Sequence, residues 1–247
     1  MATLHGRPRT TGEGRMQVVI LCGGKGTRAY PYTEYLPKPM LPVRGTPILM
    51  HVMRIYAEQG HTDFVLSVGY LKEVIGDYFR DKHTEWNVRL VDTGAETGTG
   101  GRIRRCADLL EETFFATYAD GLSDLSLDAL LAFHRSHPGL ATVTAIPLPT
   151  QYGTIDLEAS GRITGFREKP ILREHWVNAG FFVFDRAVLD RWEGDDLERE
   201  VFPALARDGR LYAYRHDGFF RSLDSYKDHQ EIERLAAAGG APWMRRA

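Results

Sequence analysis

Three glycines in four positions, Gly23, Gly24 and Gly26, follow directly on a short apolar run, Val18-Val19-Ile20-Leu21. With no Cβ in the way, such a loop lets backbone N–H groups approach phosphate oxygens closely. Leu21 and Thr27 border the glycines. Lys25 and Arg28 add positive charge, which a purely structural turn does not need. The stretch Gly24-Lys25-Gly26-Thr27-Arg28-Ala29 also satisfies the GxGxxG/A dinucleotide pattern. That pattern calls for Asp or Glu about 20 residues on, to hold a ribose. The residues from Arg44 to Met50 contain no acid and turn into a helix, so an NAD-dependent oxidoreductase is disfavoured. A second candidate is Lys38, set between Pro37 and Pro39. The prolines stiffen the backbone and limit where the amine points, which suits a cation meeting a phosphate as charge develops. A solvated lysine in a Pro-rich turn is the competing reading, and nearness to the glycine loop favours the first.

These residues need a frame. Gln17 opens a strand whose continuous apolar run reads as central and parallel. Ile48, Val52, Ile55 and Tyr56 recur at helical spacing, and Phe64 to Val68 forms the next strand. Leu71 to Phe79 reads as helix, Val88 to Val91 as strand, Ile103 to Leu110 as helix and Phe114 to Tyr118 as strand. Leu127 to His134 then reads as helix and Ala141 to Ala145 as strand. This alternation predicts an α/β fold, Rossmann-like and doubly wound, with a mixed, mostly parallel sheet. Ligands of such sheets sit beyond the carboxyl ends of the strands, where the loops Gly23 to Lys38 and Ala119 to Asp124 fall. After Pro147 the texture changes. Gly153 to Leu157, Ile163 to Phe166 and Phe181 to Phe184 read as short strands separated by Ser-Gly and Asn-Ala-Gly turns. Leu211 to Tyr214 adds a strand and Tyr226 to Ala236 a terminal helix. The expectation is one domain over 16–247, with a nucleotide-binding half at about 16–146. The remainder, about 147–247, is a smaller, more antiparallel half.

Residues 1–15 are polar, rich in Gly, Thr and Arg, and lack the apolar core of a signal peptide; they read as a flexible leader. No apolar run has the length of a membrane span. A net charge of -2 carries no basic stripe, which disfavours nucleic-acid binding. The two cysteines, Cys22 and Cys106, form no metal-type cluster and read as core residues, consistent with a reducing cytoplasm.

The pair of motifs, Gly23-Gly24-Lys25-Gly26-Thr27-Arg28 and Pro37-Lys38-Pro39-Met40, resembles the signature of the sugar-1-phosphate nucleotidylyltransferases. Trp86 to Gly94, Thr99-Gly100-Gly101-Arg102, Tyr118-Ala119-Asp120-Gly121 and Asn178 to Val183 look like the glucose-1-phosphate cytidylyltransferases of that family. The resemblance runs from about Met16 to Trp243, with the motifs in the family's order. One departure is a short connection, Arg80 to Glu85, where those cytidylyltransferases carry a longer insertion.

The resemblance implies transfer of a nucleotidyl group from a nucleoside triphosphate, CTP in the first instance, to a sugar 1-phosphate such as glucose 1-phosphate. It places Mg²⁺ on Asp120 and Asp224, an arrangement magnesium accepts because phosphate oxygens complete its shell. Asp120 as a turn or cap residue and Asp224 as the cap of the final helix are the competing readings, compatible with a metal role. Glu168-Lys169-Pro170 resembles the sugar-phosphate element, with Lys169 neutralising the phosphate and Glu168 holding hydroxyls. Tyr152, Gly153, Asn178 and Gly180 match sugar-contact positions. The phenylalanines 181, 182 and 184 read as core. Thr99, Gly100, Gly101 and Arg102 fall where the family contacts the base; Arg102 or Arg104 reaching the phosphates is the alternative. Arg28 and the glycine loop would hold the β and γ phosphates, and Lys38 the α-phosphate. A homo-oligomer follows by analogy. The remaining alternatives are dTTP, UTP or GTP as donor, another sugar phosphate, or a non-catalytic nucleotide-sugar sensor.

Overall fold

The computed structural model describes residues 2–3, 15–27, 32–81, 85–238 and 241–244. The strands are β1 (Ala2–Thr3), β2 (Gln17–Leu21), β3 (Pro42–Val43), β4 (Thr46–Pro47), β5 (Asp63–Val68), β6 (Asn87–Asp92) and β7 (Thr113–Tyr118). They continue with β8 (Gly121–Ser123), β9 (Ala141–Pro149), β10 (Thr154–Leu157), β11 (Ile163–Arg167), β12 (Ile171–Asp185), β13 (Leu211–Arg215) and β14 (Phe220–Ser222). The helices are α1 (Ile48–Ala57), α2 (Lys72–Asp81), α3 (Thr99–Arg104), α4 (Leu127–Arg135), α5 (Phe202–Arg207) and α6 (Tyr226–Ala237).

The main sheet has the order β1-β6-β5-β2-β7-β12-β9-β13. β2, β5, β6 and β7 are mutually parallel, β9 and β13 run the same way, and β12 lies antiparallel between β7 and β9. The mostly parallel sheet expected from the strand–helix alternation is therefore present. From β2 the chain winds outward through β5 and β6, then returns to place β7 on the other side of β2. The switch point lies between β2 and β7, the crevice where such sheets take ligands.

Side-chain alternation divides the core into two layers. Val18 and Ile20 face one layer with residues of α1, while Val19 and Leu21 face the other with Ile103 of α3 and Leu205 of α5. Phe181, Phe182 and Phe184 are fully buried, as expected for core residues. Cys22 and Cys106 are buried free thiols. No helix among the described residues is long and apolar enough to cross a membrane.

Several local expectations are corrected. Asn178-Ala179-Gly180 is no turn but part of β12, fifteen residues long; its register against β9 shifts there, with Gly180 at φ +77°. The glycines of Thr99-Gly100-Gly101-Arg102 lie in the first turn of α3, which ends at Arg104, and a separate 3-10 turn covers Ala107–Leu109. β9 runs on to Pro149. Ala2 and Thr3, assigned to the leader, pair with Leu90 and Arg89 of β6; residues 4–14 lie outside the described residues.

Candidate active site

The switch-point crevice is a cleft of about 640 Å³, within the range that takes a small-molecule ligand. At its floor Lys38 Nζ donates to Asp120 Oδ2 and, at 3.0 Å, to Asp224 Oδ1. Three segments far apart in the chain meet there for identifiable reasons. Lys38 opens a single 3-10 turn, Lys38–Met40, after an extended Pro37. Asp120 follows β7. Asp224 is carried to it by β14, whose Ser222 pairs with Gly121 of β8, and by the Leu223 N–H donating to Asp120 O at 3.0 Å. The cap role open to Asp224 falls instead to Ser225, which forms a capping box with Asp228 at the start of α6. Asp224 Oδ2 accepts from the Ser222 hydroxyl at 2.7 Å. Burial pulls the Lys38 pKa down, but the two carboxylates outweigh it, and the ammonium titrates above the usual lysine value.

Two carboxylates converging on one cation are a hard-oxygen donor pair, which fits magnesium when phosphate oxygens supply further ligands. No cluster of three or more His, Cys, Asp or Glu side chains able to hold a metal occurs among the described residues. Cys22 also lines the cleft, yet burial raises its thiol pKa, so it is not a ready nucleophile.

The glycine loop faces this floor. Gly26 takes φ +62°, and a Cβ there would stand 2.9 Å from Lys38 Cβ, so the loop and the lysine pack directly together. The Thr33 hydroxyl fixes the Gly26 carbonyl at 3.2 Å. Leu21, Gly24, Gly26 and Thr99 line the cleft with Lys38, Asp120, Asn178 and Asp224. Thr27 is exposed at the end of the described stretch, and Arg28 lies outside the described residues. Lys25 points to Glu96, at 2.6 Å, rather than into the cleft.

Gly23, Gly100, Gly101 and Arg102 are buried, with Arg102 against the Gly23 carbonyl and the two α3 glycines against Asp195. The Gly101 N–H donates to Asp195 O at 3.0 Å and the Gly98 N–H to Asp195 Oδ2 at 2.6 Å, so Asp195 seals the start of α3. Arg102 spends its guanidinium on backbone carbonyls and the Thr93 hydroxyl.

The sugar-side candidates divide. Asn178 faces the cleft, with its Oδ1 accepting from the Gly180 N–H at 2.7 Å. Gly180 itself sits behind, against the Tyr118 ring. Tyr152, Gly153, Glu168 and Lys169 gather instead on the β10–β11 hairpin that follows the cleft-lining Pro149. Glu168 Oε2 lies 3.1 Å from where a Gly153 Cβ would be. Lys169 Nζ pairs with Glu168 at 3.3 Å, both side chains at least half exposed.

The cleft also holds residues that no sequence motif marked. Glu198, in a π-type turn before α5, accepts from the Tyr118 hydroxyl and, at 2.8 Å, from the Thr99 hydroxyl. Burial, followed by the Glu198 carboxylate, raises the Tyr118 pKa, so the phenol remains a donor. Ile146, Leu148, Pro149 and Val177 supply an apolar wall.

The nucleotidyl transferase family profile matches residues 17–220. The chain is 38% identical over 254 aligned residues to the glucose-1-phosphate cytidylyltransferase of Salmonella typhi, covering 92% of this chain and 98% of that one.

The chain belongs to the sugar-1-phosphate nucleotidyltransferase family.

This nucleotidyltransferase is also 37% identical to a probable glucose-1-phosphate cytidylyltransferase of Bacillus subtilis, over 92% of its length and 99% of the relative. It is 32% identical to mannose-1-phosphate guanyltransferase beta-B of Xenopus laevis over 86% of its length, which spans 62% of that larger protein. Its fold matches the crystal structure of HddC from Yersinia pseudotuberculosis complexed with GMP-PN. The TM-score is 0.68 at 21% identity, covering 90% of this chain and 99% of that one.

Proposed function

We propose that this sugar-1-phosphate nucleotidyltransferase uses CTP and glucose 1-phosphate, with Mg²⁺, to form CDP-glucose and pyrophosphate. The carrying observation is the Lys38 ammonium bound by both Asp120 and Asp224 on a cleft floor faced by Gly24 and Gly26. Relatives 37–38% identical over nearly their whole length are named glucose-1-phosphate cytidylyltransferases, which favours CTP over GTP.

An oxygen of the sugar phosphate attacks the α-phosphorus in line; the bond from that phosphorus to the bridging oxygen breaks, and pyrophosphate leaves. Catalysis rests on positioning and charge neutralisation, and no enzyme nucleophile is needed. The glycine loop and Arg28 bind the β and γ phosphates, and Lys38 neutralises the α-phosphate. Asp120 and Asp224 hold the magnesium ion, which supplies positive charge to the phosphate oxygens. Thr99 and the α3 start border the base. The hairpin residues Tyr152, Gly153, Glu168 and Lys169, with Asn178, engage the sugar phosphate. The enzyme acts as a cytoplasmic homo-oligomer.

The test is pyrophosphate release with Mg²⁺ and glucose 1-phosphate, taking CTP, UTP, dTTP, GTP and ATP separately. Release with CTP supports the reading. Release with another triphosphate alone overturns the base and keeps the transfer. Silence across a panel of sugar phosphates, with nucleotide sugar still bound, identifies a sensor.

A further inference from the structure

Arg102 is 3% exposed, and every hydrogen bond it makes among the described residues ends on a carbonyl or hydroxyl oxygen. Nη2 donates to Gly23 O at 2.8 Å and Ala95 O at 3.2 Å, while Nη1 donates to Thr93 Oγ1 at 2.8 Å and Gly94 O at 3.0 Å. These acceptors sit just past the carboxyl ends of β2 and β6. The Thr93 hydroxyl itself donates to Val68 O, the end of β5, at 2.9 Å. One planar fork of donors thus ties three adjacent strand ends together, a geometry an ammonium cannot reproduce. Its space exists because side chains are missing around it. A Cβ on Gly23 would lie 1.8 Å from Nη1, and one on Gly69 2.8 Å from it.

The direction of the grip has a consequence for the loop. In a trans peptide the C=O and the following N–H point to opposite sides of the C–N bond. The Gly23 carbonyl is held underneath by Arg102 Nη2 and by the Tyr70 N–H at 3.1 Å. The Gly24 N–H therefore turns the other way, toward the cleft that Gly24 lines. Backbone N–H groups fixed in this sense are the donors a phosphate chain requires.

We infer that Arg102 is a positioning residue for triphosphate binding: it aims the Gly24 N–H at the anion by holding the Gly23 carbonyl from beneath. Its bonds to Gly94 and Ala95 at the same time fix the turn leading to Thr99, so the phosphate loop and the base-side segment keep one spacing. Its Nη1 and Nη2 donors end on protein oxygens, which makes the role one of positioning. The identity of the anion rests on the nucleotidyl-transfer reading.

The experiment compares wild type with Arg102→Lys and Arg102→Met, using inorganic triphosphate with Mg²⁺ as the calorimetric probe, well below each variant's melting temperature. Arg102→Lys keeps the charge and loses the fork. Both variants are expected to bind triphosphate at least about tenfold more weakly, the scale of a misplaced binding group. KM for the triphosphate rises with them while KM for the sugar phosphate changes little. A role in stability alone would lower the melting temperature and leave the affinity of the folded protein intact. A folded Arg102→Lys that binds triphosphate like wild type overturns the inference and spares the nucleotidyl-transfer reading; a wild type that binds none overturns the inference, and pyrophosphate release judges the nucleotidyl-transfer reading separately. If neither variant folds, the Gly24 amide resonance of the ¹⁵N-labelled wild type decides whether the N–H opposite the held Gly23 carbonyl meets the anion. A shift on triphosphate addition is expected, and an unmoved Gly24 amide overturns the proposal.

Discussion

Lys38 sits where two carboxylates would otherwise face each other, with its side chain 11% exposed and those of Asp120 and Asp224 at 21% and 34%. Removing one member of such a cluster leaves like charges close together in a half-dry cleft. Discounted for that exposure, Lys38→Met should cost about 1–3 kcal/mol in metal-free protein. Mg²⁺ should then raise the melting temperature of Lys38→Met more than that of wild type, because it replaces the missing positive charge. Equal Mg²⁺ effects would argue against a shared cation site. Asp120→Ala should abolish pyrophosphate release while circular dichroism stays native; full activity would refute the metal assignment. Lys169 belongs to a different setting, half exposed with Glu168 as its ion partner. Lys169→Ala should change stability by less than about 0.5 kcal/mol yet raise KM for the sugar phosphate. An unchanged KM and kcat would remove the hairpin lysine from the site.

The least legible element carries much of the site. The runs Val18 to Leu21, Phe64 to Val68 and Phe114 to Tyr118 are buried strands, and continuous apolar residues mark them without help from context. The first half of β12 is mostly exposed and kinked by register shifts, so only its buried end, Phe181 to Phe184, carries a strand signal. The start of α3 reads as loop because Gly100 and Gly101 oppose helix by propensity. Packing reverses that preference: a Cβ on Gly101 would lie 1.7 Å from Asp195 Oδ1, so only glycine lets Asp195 close on the helix start. Asp195 and Glu198 had no local signal at all, since their partners lie about a hundred residues earlier in the chain. Lys38 came into view through its flanking prolines and the nearby glycine loop, Asp120 and Asp224 through family motifs; periodicity alone does not bring residues 82 and 186 positions apart together. At this scale Gly101→Ala should cost about 1–3 kcal/mol through overpacking and raise KM for the triphosphate, since Thr99 faces the cleft. Adding Asp195→Ala should recover part of the stability by removing the clashing atoms. Additive losses in the double variant would show that the two residues do not act as one lock.

Across the whole molecule, acid should weaken the fold before it titrates most carboxylates. His51 and His61, 6% and 2% exposed, both lie against the layer of core that packs α1 on the sheet. The His51 ring is satisfied as a neutral group: Nε2 donates to Val43 O at 3.1 Å, and Nδ1 accepts from Trp243 Nε1 at 3.4 Å. The His61 Nδ1 accepts from the Met16 N–H at 3.2 Å, tying the entry of β2 to the end of α1. Burial lowers both pKa values from the ordinary 6.5. The unfolded chain therefore binds protons that the folded protein refuses. This contribution to stability is fully present above about pH 6.5 and is lost as pH falls through the lowered values. Asp92 and Asp196, whose pKa values are also lowered, act with the same sign in a more acid window. The urea midpoint should consequently fall between about pH 7.5 and pH 5.5. Asparagine in place of His61 keeps an acceptor for the Met16 N–H and has no proton to gain, so His61→Asn should flatten that slope. A midpoint that is level or rises on acidification, or a slope untouched in His61→Asn, would show that these rings do not set the acid limit of the fold.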